Sequence, residues 1–484
     1  MPGTFSKAAR PKRPGSYVNF EAIASTTVPA AIGSTVAIGF THDWGPTESI
    51  VTLRSLADFK AVYGPTETTP GFRAIKQVFQ GEGLEGRGGA GAVIAFRMVG
   101  ASGAKASKAL TNTTPVTALT LTAKYDGAYG NNLTVTVQDN AANAANTDLI
   151  LYVSGVEVER YTFADANING ARDAINAASQ WVTAVANVTG VVLTLVTNSA
   201  FTAGDSGSTL LAADYTAAMA AFETKRFSVL AFENLTDTSI TASLRAWSEN
   251  LNTNGKRFMT VLGGLSNELI ATAVTRAVAA ASENIVTLGV GSVLDTQLNL
   301  SLSTAELAPR VAGILAAKGE AQSMTFARLA GVTATVVASE AEILTAFDAG
   351  VMVLSQDSNA DAPVRIEKAL TTFVSTALPQ KPYRIFRDPK FVRTMQGFQM
   401  ELADYTDANI IGRSVVNDKT RDFLVGEARQ RAQKRVDLGV IQPGFTVKID
   451  PDPAPTDNDD FIALVIGMAF GRSVEQVFWT IRVA

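Results

Sequence analysis

Apolar residues follow two different periods along this chain. Short runs rich in β-branched and aromatic residues, such as Phe227–Phe232 and Arg257–Leu262, predict strands. Segments with apolar residues three or four positions apart, such as Ser239–Leu251 and Asn267–Ala281, predict helices between them. Strands that alternate with helices pair in parallel through crossover connections. The pattern therefore predicts an α/β body over residues 221–376.

Residues 21–100 combine both patterns. Thr35–Phe40 reads as a strand, and Ser55 starts a helix with capping-box spacing that Gly64 ends. A second helix is predicted over Phe72–Gln80. We interpret this segment as an α+β part of the core.

A change of composition marks residues 101–220, which are rich in Thr, Ala, Val and Asn. Runs such as Leu133–Val137, Leu149–Val153 and Val191–Val196 predict strands. A helical pattern over Asn169–Ala186 interrupts them, so a pure sandwich does not follow. We expect an inserted, mostly β, surface-exposed domain.

The segment 377–473 predicts a compact α+β domain. A helix is expected over Asp388–Ala403, and a longer one runs from the N-cap Asn417 to Leu438, where Gly439 closes it. Strands follow, at Phe445–Asp450 and from Phe461 to Ile466.

The long helix carries a basic face. Arg431, Lys434 and Arg435 lie away from an apolar i, i+4 stripe that includes Ala428 and Ala432. Glu427 precedes Arg431 by one turn and can pair with it. The residues alone leave two readings open, a solvated face and a face that docks an acidic partner; aromatic residues are not interleaved as nucleic-acid binding would require.

Both chain ends are patterned like strands rather than tails. Residues 1–20 form a basic leader whose Pro11 and Pro14 prevent a helix before an extended run. Residues 474–484 alternate with period two. We predict that both ends pair with other strands, through Tyr17, Val18, Phe20, Val477, Trp479, Ile481 and Val483.

Composition excludes several classes of protein. A length of 484 residues with 46% hydrophobic residues predicts about three domains. The net charge of -4 favours no nucleic acid or membrane partner. Without cysteine, thiol catalysis and cysteine-based metal sites are excluded. The start of the chain lacks the apolar core of a signal peptide, and the longest apolar run, 461–471, is about half of the roughly 20 residues that span a bilayer.

Three local patterns suggest chemistry, and each has a simpler interpretation. Gly81, Gly83 and Gly86 match the spacing of a dinucleotide loop, but a helix precedes them and a strand follows, the reverse of the required order. His42 lies among turn residues, without a nucleophile elbow elsewhere in the sequence. The aspartates of 450–460 could bind calcium but lack the glycine and glutamate of an EF-hand, so we favour a stiff solvated loop over a metal site. No cofactor and no catalytic residue is predicted.

Short motifs in a consistent order resemble one family, the contractile tail sheath proteins of myovirus-type bacteriophages and of phage-tail-like particles, the tailocins. In the first half they are Arg13-Pro-Gly-Ser-Tyr-Val-Asn-Phe20, Gly45-Pro46, Ser55-Leu-Ala-Asp-Phe59, Tyr63-Gly64 and Tyr129-Gly-Asn-Asn-Leu-Thr-Val135. In the second half they are Ala308-Pro-Arg-Val-Ala-Gly-Ile-Leu-Ala316, Ile411-Gly-Arg-Ser-Val-Val-Asn-Asp-Lys-Thr-Arg421 and Gly439-Val-Ile441. Residues 101–220 are the part least like the family.

The resemblance implies a structural protein of the virion tail, assembled in the cytoplasm of a bacterial host. Copies would stack helically as hexameric rings around a tail tube, held by baseplate and terminator proteins, and would contract to drive the tube through a bacterial envelope. It further implies that both arms add strands to the C-terminal sheet of neighbouring copies. The C-terminal domain would face the tube, which turns the basic face of Arg431, Lys434 and Arg435 into a surface for tube acids.

Two other functions remain open from the residues. An α/β enzyme would place its ligand at the carboxyl edge of the sheet in 221–376. A glycan-binding phage surface protein would use the Thr-rich β region.

Overall fold

The computed structural model describes residues 34–83, 88–207, 209–289, 292–296, 299–334, 338–356, 364–375, 383–450, 462 and 464–471. Three predicted features lie outside these residues: the arms at 1–20 and 474–484, with all seven of their named residues, and nearly all of the aspartate-rich loop.

The first part of the fold has the elements that its caps predict. They are β1 (Thr35–Thr41), β2 (Ile50–Leu53), α1 (Leu56–Tyr63), α2 (Pro70–Gln80) and β3 (Ala92–Met98). The Ser55 hydroxyl accepts a hydrogen bond from Asp58 N, and Gly64 ends α1 with a φ of 86°. The predicted start and end of this helix are confirmed. Since α2 precedes the glycines at 81 and 83 and β3 follows them, the predicted order of helix and strand is also confirmed.

The inserted region forms two antiparallel sheets, ordered β10-β6-β7-β8 and β4-β5-β9. Its elements are β4 (Ser107–Thr111), β5 (Thr117–Ala123), a 3-10 helix (Ala128–Asn132), β6 (Leu133–Asp139), β7 (Asn146–Val153), β8 (Val156–Ala164), α3 (Ile168–Ala178), β9 (Val182–Ala186) and β10 (Val196–Ala200). The helix predicted over 169–186 stops at Ala178, because the β-branched residues after it pair with β5. The strand predicted over 191–196 is also wrong: only a bridge at Leu193 forms there, and β10 begins at Val196.

The chain then returns to the first sheet. Its elements are α4 (Ala212–Glu223), β11 (Val229–Phe232), α5 (Thr238–Thr253), β12 (Met259–Leu262), α6 (Ile270–Ala280), β13 (Ile285–Gly289), β14 (Ser292–Asp295), β15 (Leu300–Ser303), α7 (Thr304–Lys318), β16 (Arg328–Leu329), β17 (Val332–Ala334), α8 (Glu340–Asp348), β18 (Val351–Ser355) and β19 (Val364–Ile366). A small antiparallel sheet has the order β15-β14-β17.

One mixed sheet joins both parts of this body. Its order is β16-β19-β18-β13-β12-β11-β1-β3-β2 among the described residues. The run from β18 to β3 is parallel, and β16, β19 and β2 pair antiparallel at the two edges. The predicted parallel crossovers and the placement of Val351–Ser355 in the same sheet are confirmed. Strands before and after the insertion therefore share one core.

Helices cover both faces of this sheet, as a parallel sheet requires. On one face α2, α6, α7 and α8 pack over Val36 and Ile38. On the other, α4 and α5 pack over Ala37 and Phe96. Residues 212–220 of α4 fall in the range predicted for the inserted region, but the buried Tyr215 contacts Phe232 of β11, so this helix belongs to the body.

Helix α7 lies at the centre of the larger core. A side chain at Gly313 would place its Cβ only 2.2 Å from Val78 O, so α2 and α7 approach this closely only around glycine. The buried guanidinium of Arg310 donates hydrogen bonds to the carbonyl oxygens of Gly81, Gly83 and Ala330. The segment resembling the family motif therefore positions the loop after α2.

The last part of the chain is built from α9 (Tyr383–Phe386), α10 (Pro389–Asn409), α11 (Asp418–Asp437), β20 (Thr446–Ile449) and β21 (Leu464–Gly467). The Asn417 side chain caps α11 by accepting a hydrogen bond from Thr420 N, and Gly439 has a φ of 69° just beyond its end. The predicted caps of this helix are confirmed. Among the helices of these described residues, none is both long and apolar enough to cross a membrane.

Candidate assembly surface

Helix α10 belongs to two hydrophobic cores. Val392, in its first half, packs in the large core of the body. Phe398, near its middle, packs in a small core with Ala432, Val440 and Ile441. We call the part of α10 beyond Gln396, with α11, β20 and β21, the C-terminal unit. One continuous helix, α10, therefore connects the C-terminal unit to the body.

The core of the C-terminal unit is small for the elements it supports. In the 20 residues of α11 only Ala428, Ala432 and Arg435 are buried. A helix this polar over most of its surface gains little from burial, so it depends on side-chain pairs and on packing partners. The unit therefore presents most of α11 to its surroundings.

The sheet of the unit is short and open. β20 and β21 pair antiparallel, with Thr446 opposite Gly467 at one end and Ile449 opposite Leu464 at the other. The described residues give this sheet no third strand. Ile449 and Val465 are 45% and 48% exposed. A two-stranded ribbon alone is marginally stable in water, and its edges offer free backbone groups to another strand. This geometry suits the addition of strands.

Several apolar side chains are exposed on the segment between α10 and α11 and on the start of α11. Ile411, Val415 and Phe423 are 65%, 72% and 50% exposed. Large exposed apolar side chains are the kind that interaction surfaces use. This segment and the open sheet make the C-terminal unit the candidate surface for assembly.

The predicted basic face of α11 does not exist as one surface. The side chain of Arg435 is buried, with its guanidinium in a bidentate pair with Glu320, at 2.7 and 3.0 Å, and bonded to Glu401 at 2.8 Å. Burial disfavours this charge, but hydrogen bonds and attraction from the two carboxylates prevail and raise the pKa of Arg435. Arg435 is therefore an internal residue, and its assignment to a docking face needs correction.

The other two residues of that face differ in exposure. Arg431 pairs with Glu427 at 2.6 Å, as its i, i+4 spacing predicts, and its guanidinium lies 4.2 Å from the ring centre of Tyr405. Of the three predicted residues, only Lys434 is exposed. Nothing in the local sequence indicates Glu320, which is 115 residues from Arg435.

His42 is buried just after β1, with its ring against Phe59 and Tyr63 of α1. Its Nδ1 lies 2.7 Å from Thr69 Oγ1, and its Nε2 lies 3.3 Å from Asp43. This looks like a triad, but the Thr69 hydroxyl caps α2 by accepting a hydrogen bond from Phe72 N. Burial, with help from the charge of Arg97, lowers the pKa of His42 to about 3. A base so weak is poorly matched to proton transfer at neutral pH.

Trp44 and Arg97 connect the body to the inserted region, and no pattern in the sequence indicates either role. Trp44 follows β1 but packs in the core of the insertion, stacked on Trp181 at a ring distance of 5.5 Å. The fully buried Arg97 donates hydrogen bonds to the carbonyl oxygens of His42, Gly45 and Asp126. Body and insertion are thus joined by a tightly bonded turn.

A charged cluster lies at the carboxyl edge of the large sheet. Glu233 directly follows β11. Its carboxylate accepts hydrogen bonds from the backbone N of Thr41 at 2.7 Å and from the Thr41 hydroxyl at 3.1 Å. Burial raises the pKa of Glu233 to about 7. The hydrogen bonds from Thr41 and the charge of Arg73 lower this pKa, and the charge of Glu306 raises it further. In the described parts of the chain, no group of three or more His, Cys, Asp or Glu side chains could hold a metal ion.

Two family models match this chain in sequence. The phage tail sheath protein beta-sandwich domain matches residues 101–206, and the phage tail sheath protein central domain matches residues 209–372. Together they cover more than half of the chain. The chain belongs to the phage tail sheath protein family. It is a structural sheath subunit, and the likenesses give no support to the alternatives of an α/β enzyme or a glycan-binding surface protein.

Relatives of this sheath protein occur in Bacillus subtilis (strain 168). The protein YqbK is 24% identical over 424 residues, which cover 85% of this chain and 83% of YqbK. The phage-like element PBSX protein XkdK is 25% identical over 160 residues, which cover 33% of this chain and 31% of XkdK.

Solved sheath structures share the fold. The sheath tail protein of Desulfitobacterium hafniense is 22% identical with a TM-score of 0.69, covering 94% of this chain and all of that one. The sheath tail protein Lin1278 of Listeria innocua is 19% identical with a TM-score of 0.68, covering 91% and 96%. The contracted helical sheath of the anti-feeding prophage is 10% identical with a TM-score of 0.53, covering 97% and 98%.

The matches correct one expectation about the sheath protein. The motifs place the least likeness to the family in residues 101–220, yet a family model matches 101–206. Its two antiparallel sheets agree with the sandwich in that description. Thr-rich, weakly patterned strands conceal the likeness because their burial is set by pairing across the insertion rather than by local period.

Proposed function

We propose that this protein polymerises helically around a tail tube and contracts to drive the tube through a bacterial envelope. The observation that carries the proposal is the ordered match of two tail sheath domains over more than half of the chain. The contracted helical sheath of the anti-feeding prophage, whose fold this chain shares, supports the same conclusion. Contraction would release a higher-energy packing of folded subunits into a tighter one.

The proposed partners are copies of the same chain, a tail tube protein, and baseplate and tail terminator proteins. The likeness to a chain of the anti-feeding prophage baseplate, with a TM-score of 0.52, supports the baseplate among them. The protein would be assembled in the cytoplasm of a bacterial host. We assign it no catalytic step and no cofactor.

Neighbouring copies would be linked by their ends. The arms at 1–20 and 474–484 would add strands to the sheet of β20 and β21, with backbone hydrogen bonds as the main contact. The open, half-exposed character of that sheet supports this arrangement. Tyr17, Val18, Phe20, Val477, Trp479, Ile481 and Val483 are the residues proposed for these strands.

Docking on the tube would involve the exposed charge of α11. Arg435 is buried in ion pairs, so the proposal rests on Lys434 with the partly buried Arg431 beside it. Exposed charge contacts are weak and screened by salt. Such contacts would hold a sheath on its tube and still release it on contraction.

Electron microscopy of the purified protein tests the proposed function. We expect helical tubes or stacked rings at high protein concentration. A preparation that stays monomeric under all conditions of salt and concentration, and in the presence of tail tubes, would contradict the proposal.

A charge reversal tests tube docking separately. Lys434→Glu should reduce the yield of sheath on tubes and make that yield more sensitive to salt, without changing the folded subunit. Lys419→Glu, an exposed lysine in the first turn of the same helix, is the matched control. Equal yields for Lys434→Glu, Lys419→Glu and the wild type would refute the docking role.

A further inference from the structure

Charged side chains connect the C-terminal unit to the body at the joint, the point where helix α10 passes from one to the other. Helix α10 is anchored in the body up to Gln396, whose buried side chain donates hydrogen bonds to Asn284 Oδ1 at 2.9 Å and to Phe258 O at 3.3 Å. The buried Arg393 also donates to Leu315 O. Beyond Gln396 the helix enters the small core of the unit. Among the described residues, the chain therefore passes from the body to the unit in one continuous helix, about 30 Å long at 1.5 Å per residue. The first half of this helix also contacts the end of the unit, through Lys390 Nζ to Gly471 O and the rings of Phe391 and Phe470.

Gly397 marks this joint. A Cβ on this residue would lie 2.0 Å from the carboxylate of Glu320, which follows α7 in the body. Glycine in a helix interior costs about 1 kcal/mol relative to alanine and loosens the helix. Its presence allows Glu320 to approach the helix axis, but it leaves α10 less stiff at the point where the unit begins.

The Glu320 carboxylate, which belongs to the body, binds Arg435 on α11. Its two oxygens accept hydrogen bonds from Arg435 Nε and Nη2, which leaves Nη1 for Glu401 on α10. The Arg435 guanidinium also lies 4.9 Å from the centre of the Phe398 ring. One buried cation thus contacts the body and both helices of the unit.

Bidentate pairing has a directional consequence. A guanidinium bound by two parallel hydrogen bonds is fixed in plane as well as in distance. A buried pair of this kind adds little net stability, since desolvation offsets attraction, and its best-supported use is to select one arrangement. An apolar contact at the same place would permit rotation of α11 about α10.

We propose that Arg435 and Glu320 are positioning residues for sheath assembly, and that their ion pair fixes the angle between the C-terminal unit and the body. This inference rests on the proposed function, because it assigns the angle a role in bringing the unit to its neighbours and to the tube. The surface pair of Arg226 and Asp404, also between body and α10, is too exposed to set an angle by itself.

The chain contains no cysteine, so a distance across the joint can be measured with two spin labels. Ala242→Cys on α5 and Lys419→Cys on α11 are exposed positions on the two sides. We expect a narrow distance distribution in the subunit with the native pair. Glu320→Gln and Arg435→Met should broaden it, and Arg435→Lys, which keeps the charge but loses the fork, should broaden it less.

Arg276→Met is the matched control. Arg276 forms a partly buried bidentate pair with Glu268 inside the body and does not cross the joint. This variant should lose a comparable amount of thermal stability but keep the narrow distribution. In assembly assays, the two joint variants Glu320→Gln and Arg435→Met should lower the yield of tubes by about tenfold or more, whereas Arg276→Met should change it little.

The two readouts separate the possible failures. If the wild type forms no tubes, the proposed function fails, while the spin-label distances still decide the role of the pair at the joint. A distribution that stays narrow in both joint variants overturns the inference, as does a broad distribution combined with wild-type tube yield. If Arg435→Met does not fold, Glu320→Gln decides, because it removes only the body's side of the pair and leaves Arg435 bound to Glu401.

Discussion

Two glycines within helices illustrate how local contacts decide the effect of one methyl group. Gly313 on α7 has the Val78 carbonyl oxygen 2.2 Å from the position of a Cβ. Gly426 on α11 has nothing within 4 Å. The first position requires glycine for close helix packing, and the second does not.

Alanine at these two positions should change stability in opposite directions. Gly313→Ala should lower the free energy of unfolding by about 1–3 kcal/mol, because α2 and α7 must separate. Gly426→Ala should raise it by about 0.5–1 kcal/mol, because alanine restricts the unfolded chain. Urea unfolding of both variants measures these changes, and equal effects at the two sites would contradict the packing account.

Glu233 makes the stability of the body depend on pH. Its pKa is about 7 in the folded protein against 4.5 for an ordinary glutamate. Between these pH values the folded state retains a proton that the unfolded chain has lost. Stability from this group is therefore full below about pH 4.5, falls as pH rises to about 7, and stays low above it.

Glu233→Gln removes this dependence, because the amide keeps an oxygen for the Thr41 hydrogen bonds and carries no charge. We expect the variant to be more stable than the wild type at pH 8, by roughly 1–3 kcal/mol, and similar at pH 4.5. Thermal melts across this range test it, with the exposed Glu340→Gln as control. A difference that does not change with pH would exclude the assigned titration.

Among the elements, the turn after β1 matters more than its length suggests. Trp44 supplies a ring to the core of the insertion, with Tyr125 and Tyr129 at ring distances of 5.3 and 5.8 Å. The two chain segments that connect body and insertion also bond to each other, through Ala101 N to Thr209 O. These contacts hold the body and the insertion together as one unit.

Trp44→Ala should therefore loosen the insertion as well as the turn. Loss of a buried tryptophan costs about 3–5 kcal/mol. Hydrogen exchange should increase in the 3-10 helix 128–132 and in the sheet β4-β5-β9, with the large body sheet less affected. Val185→Ala, 57% exposed on β9, is the control. Protection lost evenly over the whole chain would argue against a local joint.

Element ends were predictable where one residue determines them. Ser55, Gly64, Asn417 and Gly439 act through bonds or backbone angles within a few residues, and the structure confirms each. Predictions failed where partners lie far apart in sequence. The pairing of β9 with β5 ended a predicted helix early, and Glu320 took Arg435 out of the surface. No local pattern encodes either contact.

At the scale of the whole molecule, sequence order was more informative than any site. Alternation of strands and helices predicted the parallel sheet, and the ordered motifs indicated the family that the domain matches then established. The candidate assembly surface was only partly predictable. Exposure between α10 and α11 and the ion pairs at the joint depend on packing between distant segments.

The two parts of the N-terminal segment should behave differently on deletion. Removal of residues 1–20 should abolish long sheaths, because the proposed strand at Tyr17–Phe20 is lost. Removal of residues 1–15 takes only the basic leader and should leave sheaths intact, because strand addition needs no charge. Electron microscopy of both variants compares their lengths. Normal sheaths from the longer deletion would refute the role of the arm.

Helical reconstruction of the assembled protein by cryo-electron microscopy would show how the copies are arranged and joined. We expect a hollow helical array of this chain, with α11 and the sheet of β20 and β21 at the inner radius and linked to neighbouring copies through added strands. An array with the C-terminal unit at its outer surface, or without strands shared between copies, would contradict this expectation.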